Sequence, residues 1–231
     1  MANTVVIEEE IEIPMDLRSL DDFRAWATSD RFPDRGRIDY IAGRIEVDMS
    51  PEDLFCHGAL KVEVIRVLSQ RVKTGDLGHL FTDRTRVSLP QSDVSTEPDL
   101  VFVSHRTLSA GQARLVAKSS GEPGRYIELE GAPDLIVEIV SDASVNKDTR
   151  RLPEAYFRAG VGEFWLADAR GQQLLFQIHH RGESTFQPAV SDADGFQASP
   201  AFRCSFRLDG ARNERGEWRF DLMEKENPSG N

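Results

Sequence analysis

Cysteine is scarce in this chain: Cys56 and Cys204 are the only two in 231 residues, and they stand far apart. That excludes a disulfide framework and a cysteine-rich zinc site, which need several thiols at close or paired spacing. Both read as partly buried thiols. Long apolar runs are missing as well, with nothing near the roughly eighteen residues that cross a bilayer. The opening MANTVVIEEEIEIPMD is rich in glutamate, where a secretory leader needs a basic start and an apolar centre. The expected compartment is therefore the cytoplasm, with no membrane partner. Positive charge is in deficit too, 28 Lys and Arg against 39 Asp and Glu, for a net charge of -11. Such a surface does not coat nucleic acid nonspecifically, because phosphate binding needs clustered cations. The deficit is uneven: residues 1–50 hold 6 basic and 12 acidic residues, whereas residues 51–90 hold 6 and 5. An anionic substrate would have to meet a local basic face or a metal.

The chain also lacks internal repeats and low-complexity tracts, and its 231 residues suffice for one large domain with small appendages. In PMDLRSLDDFRAWATSD, Leu17, Leu20, Phe23, Trp26 and Ala27 recur at helical spacing behind a Ser19/Asp22 cap. RIDYIAGRIEVDMS alternates about Ala42 and Gly43, which predicts a hairpin. From Pro51 to Lys73, Leu60, Val64, Ile65, Leu68 and Val72 mark one face of the longest helix, with His57 at its start and Glu63 on its solvated side.

HLFTDRTRVSLP then alternates as a strand, and DLVFVS and DLIVEIV are apolar runs of the kind buried on both faces. Between them, residues 107–131 are rich in Gly and Ser and read as a surface loop. A short helix centred on Pro153 to Arg158 and ended by Gly160 follows, then the strand EFWLADA and a meander with turns at RGES and DADG. This order predicts an α/β or α+β fold with a mixed central sheet flanked by helices and added hairpins. The expected layout is a helical extension over 1–36, a main domain over 37–200 and an extension over 201–231.

Two Pro-Asp pairs precede the buried strands, and Glu138 lies inside the second of them. An unpaired carboxylate costs several kcal/mol to bury, so such groups are paired, hydrogen-bonded or bound to metal. If the strands are neighbours, Asp99 and Glu138 converge as hard oxygen ligands for Mg2+ or Mn2+. Lys147 can return over the strand end to assist, and the set then suits phosphodiester hydrolysis. Asp134 and Asp168 read as turn residues, Phe164 and Trp165 as core, and Tyr156 as a packed ring with an anchored hydroxyl.

PDLIVEIVSDASVNKDTRRLPEAYFRAGVGEFWLADAR resembles the signature of the Uma-two family of bacterial proteins, in the PD-(D/E)xK nuclease superfamily. DYIAGRIEVDMSPEDLFCH and EPDLVFV resemble the family's early hairpin and helix and its first Pro-Asp strand, so the likeness runs from Asp39 to Ser199. It implies a restriction-endonuclease-like core and a metal-dependent endonuclease acting on nucleic acid, DNA in the first place, with no organic cofactor. Asp99 and Glu138 would bind the metal, Lys147 would join them in catalysis, and Asp39, His57 and Arg151 would be accessory. Many nucleases of this fold work as homodimers. The sequence departs from the pattern at the lysine: Val140 stands two residues after the glutamate and Leu152 four before Tyr156. The alternative is a catalytically silent nuclease fold serving as a binding or regulatory module; plain strand-end acids are a third reading.

Overall fold

The computed structural model describes residues 12–118 and 123–227. Helix α1 (Leu20–Ala27) starts at Ser19, whose hydroxyl accepts the Asp22 amide, and buries Leu20, Phe23, Trp26 and Ala27. Strands β1 (Arg37–Ile41) and β2 (Arg44–Asp48) pair about Ala42 and Gly43, both at positive φ as a two-residue hairpin demands. Asp53 caps a wide π turn (Leu54–Ala59) that runs into α2 (Leu60–Gly75), which Asp76 ends in left-handed backbone. Strands β3 (Gly78–Thr82), β4 (Arg86–Leu89), β5 (Val94–Thr96) and β6 (Leu100–Ser104) follow, then the one-turn helix α3 (His105–Ser109). Next come β7 (Ala113–Ala117), β8 (Tyr126–Gly131) and β9 (Leu135–Ile139). A second π turn (Lys147–Arg151) leads into α4 (Leu152–Ala159), with Pro153 in its first turn and Gly160 at φ 94° closing it. The chain ends in β10 (Glu163–Asp168), β11 (Leu175–Arg181), β12 (Phe186–Pro188), β13 (Gln197–Ser199), β14 (Cys204–Arg212) and β15 (Trp218–Glu226).

Three sheets arise among the described residues. The first has the order β2-β1-β5-β4-β8-β7, the second β12-β11-β10-β9-β6-β3, and the third β13-β14-β15. Both large sheets are mixed: β9 and β10 are parallel in one, and β4 and β8 in the other. The second sheet is the middle layer. One face packs on α2 and the third sheet through Leu100, Phe102, Val137, Trp165, Phe206 and Trp218. The other face packs on the first sheet and α4 through Val101, Val103, Ile136, Phe164, Leu129 and Tyr156. Each large apolar side chain buried this way contributes about 1.5–3 kcal/mol, and burial on both faces explains why β6 and β9 read as continuous apolar runs.

The expected loop over residues 107–131 is instead partly folded, with β7 and β8 at the edge of the first sheet. The pattern is disguised because β8 turns Glu128 inward, where Arg24 of α1 takes it at 2.6 Å, and Arg24 also reaches Glu130. Glu63, expected on the solvated side of α2, accepts the Leu222 amide at 2.8 Å and both guanidinium donors of Arg66. Its hydrogen bond joins the Arg71 pair with Glu226 and the apolar core in fastening β15 to α2. The amino-terminal helix likewise packs on the sheet, with Phe23 at 5.5 Å from the ring of Tyr40.

Candidate active site

Strands β6 and β9 run antiparallel with Leu100 opposite Val137 and Val101 opposite Ile136. Successive side chains alternate between faces, so Asp99 and Glu138 extend the row of Val101 and Ile136 and share its face. Both are 1% exposed. Oδ2 of Asp99 accepts the Ile139 amide at 2.7 Å, which ties the two strands together at the acids. Oδ1 is buried and has no aligned hydrogen bond among the described residues, yet it faces three basic side chains. Lys61 Nζ lies 3.2 Å away, His57 Nε2 3.4 Å and the Arg37 guanidinium 3.7 Å.

Burial alone would raise the Asp99 carboxyl, but His57 and Arg37 hold it well below the usual carboxylate range. Glu138 goes the other way. Complete burial, then the charges of Asp148 and Asp99, push it well above its ordinary value. Asp148, 1% exposed on the second π turn, is pushed up to about 6 by burial. The hydroxyl of Tyr156 on α4 donates to Glu138 Oε1 at 2.5 Å, the anchor the sequence led one to expect. Removing that donor leaves a buried acceptor unpaired. Tyr156→Phe should therefore cost about 1–3 kcal/mol in a urea melt, more than the same change at exposed Tyr126.

Asp39 on β1 points inward at 1% exposure, and Lys147 Nζ lies 3.0 Å from its Oδ2. Lys147 is itself buried and, against the pull of burial, is held above its ordinary pKa first by Asp39. Arg151 sits at the mouth of the cleft, paired with Glu46 of β2. His57, on the first π turn, lies between Asp99 and Glu52, whose Oε2 is 3.3 Å from Nδ1. Glu52, His57 and Asp99 each bring a ligand atom within 4.8 Å of the others, a group able to hold a metal ion. The structure thus gathers Asp99, Glu138, Lys147, Asp39, His57 and Arg151 at one end of the middle sheet.

Three participants escaped the sequence reading. Arg37 is half-buried, and although burial disfavours its charge, the guanidinium is held charged by Asp99, Glu138, Asp39 and Asp148. Lys61 sits over Asp99, and Asp148 crowds Glu138. Spacing could have found the first two, since Arg37 and Asp39 share a strand face and His57 and Lys61 are four residues apart. The local basic face that an anionic substrate would need is only partly present. Arg84 lines the cleft beside Arg37 and Arg151 lines its extension, but Arg86 is buried in an ion pair with Glu97 at 2.5 Å and belongs to the core.

The fold is layered, with two buried acids meeting at the end of a mixed sheet. A family described as "Putative restriction endonuclease" matches residues 20–211, and this chain belongs to that family, Uma2. The membership supports a nuclease function. A solved structure from Anabaena variabilis ATCC 29413, described as "a putative nuclease belonging to DUF820", shares the fold, with a TM-score of 0.58 and 21% identity. The match covers 80% of this chain and 90% of that one. No curated protein matches the chain. No helix among the described residues is long and apolar enough to cross a membrane.

Proposed function

We propose that this protein is a metal-dependent endonuclease that hydrolyses phosphodiester bonds of DNA, in the cytoplasm, with Asp99 and Glu138 holding Mg2+ or Mn2+. The observation that carries the reading is the pairing of these acids on adjacent strands, both buried, with Asp99 Oδ1 lacking an aligned hydrogen bond. The upward push on Glu138 by its like-charged neighbours fits the same donor set, because a divalent cation would relieve that repulsion. Such a cation supplies Lewis-acid stabilisation of phosphoryl oxygens and activates water. Tyr156 fixes the Glu138 carboxyl, and the Ile139 amide fixes that of Asp99. Lys147 neutralises Asp39 beside the cleft and offers positive charge toward the substrate, as does Arg151 at the mouth. A homodimer would place two such sites to cut both strands of a duplex.

A second reading, a silent module of the same fold, is favoured by one feature. The Arg37 guanidinium already lies among the four acids as an internal counter-ion.

Binding of Mn2+ separates the two. At a hundredfold excess over its dissociation constant, Mn2+ should stabilise the protein by about 2.7 kcal/mol, or about 5–10 °C in melting temperature. The shift should grow as pH rises, because a carboxyl held above its ordinary pKa must give up its proton to bind. Asp99→Ala should abolish it. Equal shifts in wild type and Asp99→Ala would point to surface carboxylates and support the silent module.

A further inference from the structure

The site holds a lysine that neither the family pattern nor the spacing of acids points to. Lys61 projects from the first turn of α2 with a side chain only 5% exposed, and its Nζ lies 3.2 Å from Asp99 Oδ1. The usual lysine position four residues before the tyrosine is Leu152 here, buried at 1% exposure in the core between α4 and the sheets. Lys147 is turned to Asp39 at 3.0 Å. Lys61 is therefore the ammonium that directly faces Asp99, whose buried Oδ1 has no aligned hydrogen bond.

What else touches Lys61 is informative. Its remaining donors go to Asp83 Oδ1 at 2.6 Å and Glu52 Oε1 at 2.9 Å. These two carboxylates are about half exposed, 52% and 57%, and both line the same open cleft of about 330 Å³ as Arg37, His57 and Arg84. Pairs with solvent-exposed carboxylates contribute little, so either acid can rotate into water at small cost. A buried ammonium with one fixed buried partner and two mobile anionic ones is arranged to exchange the mobile oxygens for those of a bound phosphate.

We propose that Lys61 is the catalytic cation of this site, contacting a non-bridging oxygen of the scissile phosphate in the place that Asp83 and Glu52 occupy in the free protein. This deepens the nuclease reading and rests on it. In the hydrolysis, a water oxygen forms a new bond to phosphorus, and the bond from phosphorus to one sugar oxygen breaks. The proton that water loses ends on that leaving oxygen. Lys61 keeps its own protons throughout and lends charge to the phosphoryl oxygens, where negative charge grows.

The test compares wild type, Lys61→Met, Lys61→Arg and Asp83→Asn in three assays: nicking of supercoiled plasmid, binding of the plasmid, and the melting-temperature response to Mn2+ alone. Lys61→Met should nick about 10²–10³-fold more slowly, the loss typical for removal of a preorganised charge. Lys61→Arg should recover part of the rate. With a positive charge removed beside Asp99, Lys61→Met should also respond to Mn2+ at a lower concentration than wild type. A fall in rate joined to tighter metal binding is not what a merely structural lysine would produce. Asp83→Asn, a change at an exposed residue that spares the core, should bind plasmid more tightly, since a competitor for Lys61 has lost its charge. Wild type and Lys61→Met that nick equally would overturn the assignment and leave the nuclease reading standing. Should Lys61→Met unfold, unchanged plasmid binding by Asp83→Asn overturns it. A wild type inert on every nucleic acid and metal tried would overturn both.

Discussion

Glu138→Ala, purified and given supercoiled plasmid with Mg2+ or Mn2+, is expected to leave the plasmid intact where wild type nicks it. The loss should be about 10³-fold or more, since on the proposed reading the variant would lack one of the two oxygen donors that hold the metal. Asp99→Ala should match it, and EDTA should reduce wild type to the same level. The melting curve recorded without metal guards the interpretation. Glu138 sits fully buried beside Asp148 and Asp99, which push its carboxyl upward, so its removal relieves repulsion as well as opening a small void. The variant should therefore stay folded while it loses activity. Nicking that survives in both variants would place the chemistry elsewhere or trace it to a contaminant.

The second large effect lies outside the site. Arg86→Ala should destabilise the protein by about 3–5 kcal/mol, read from urea denaturation, because it removes one partner of a buried ion pair. Arg86 donates to Glu97 at 2.5 Å and to the Ile38 carbonyl at 3.1 Å, and its guanidinium lies 5.1 Å and 4.8 Å from the ring centres of Phe23 and Phe32. Burial pushes the Glu97 carboxyl up even with Arg86 present. Without Arg86, that buried carboxyl would face Asp39 with only the more distant charges of Arg37 and Arg84 opposing. Since β1 carries both Arg37 and Asp39, the variant should lose metal response along with stability. A loss below about 1 kcal/mol would show that water reaches Glu97 and that the pair is not buried in solution.

The sequence made Asp99 and Glu138 legible for a physical reason: a carboxylate amid Leu, Ile and Val is costly enough to call for a partner. The helix α2, the hairpin at Ala42 and Gly43 and the strands β6 and β9 were legible from period and turn chemistry. The misses share a cause, which is that a charged residue was assigned to water. Arg86 alternated with apolar neighbours and so read as the exposed face of a strand, although it packs under α1. Glu128 and Glu130 made β8 look like a loop because their partner, Arg24, is 104 and 106 residues away in sequence. Lys61 follows Leu60 on α2 and drew no reading, while Glu63 on the same helix was read as solvated. In each case the compensating charge comes from a distant element, and local periodicity carries no trace of it.

The anchoring of the two central acids also fixes how many oxygens they can give. Asp99 has committed Oδ2 to the Ile139 amide and Glu138 has Oε1 engaged by Tyr156, which leaves Asp99 Oδ1, ringed by Lys61, His57 and Arg37, and Glu138 Oε2 as the oxygens outside these two bonds. A cation held by this pair would take a single bond from each and would fill the rest of an octahedral shell with water and substrate oxygens. Few protein ligands and many exchangeable positions favour turnover over tight retention. The protein should then leave a desalting column free of metal, and the cation should behave as a co-substrate whose occupancy follows its supply in the surrounding solution.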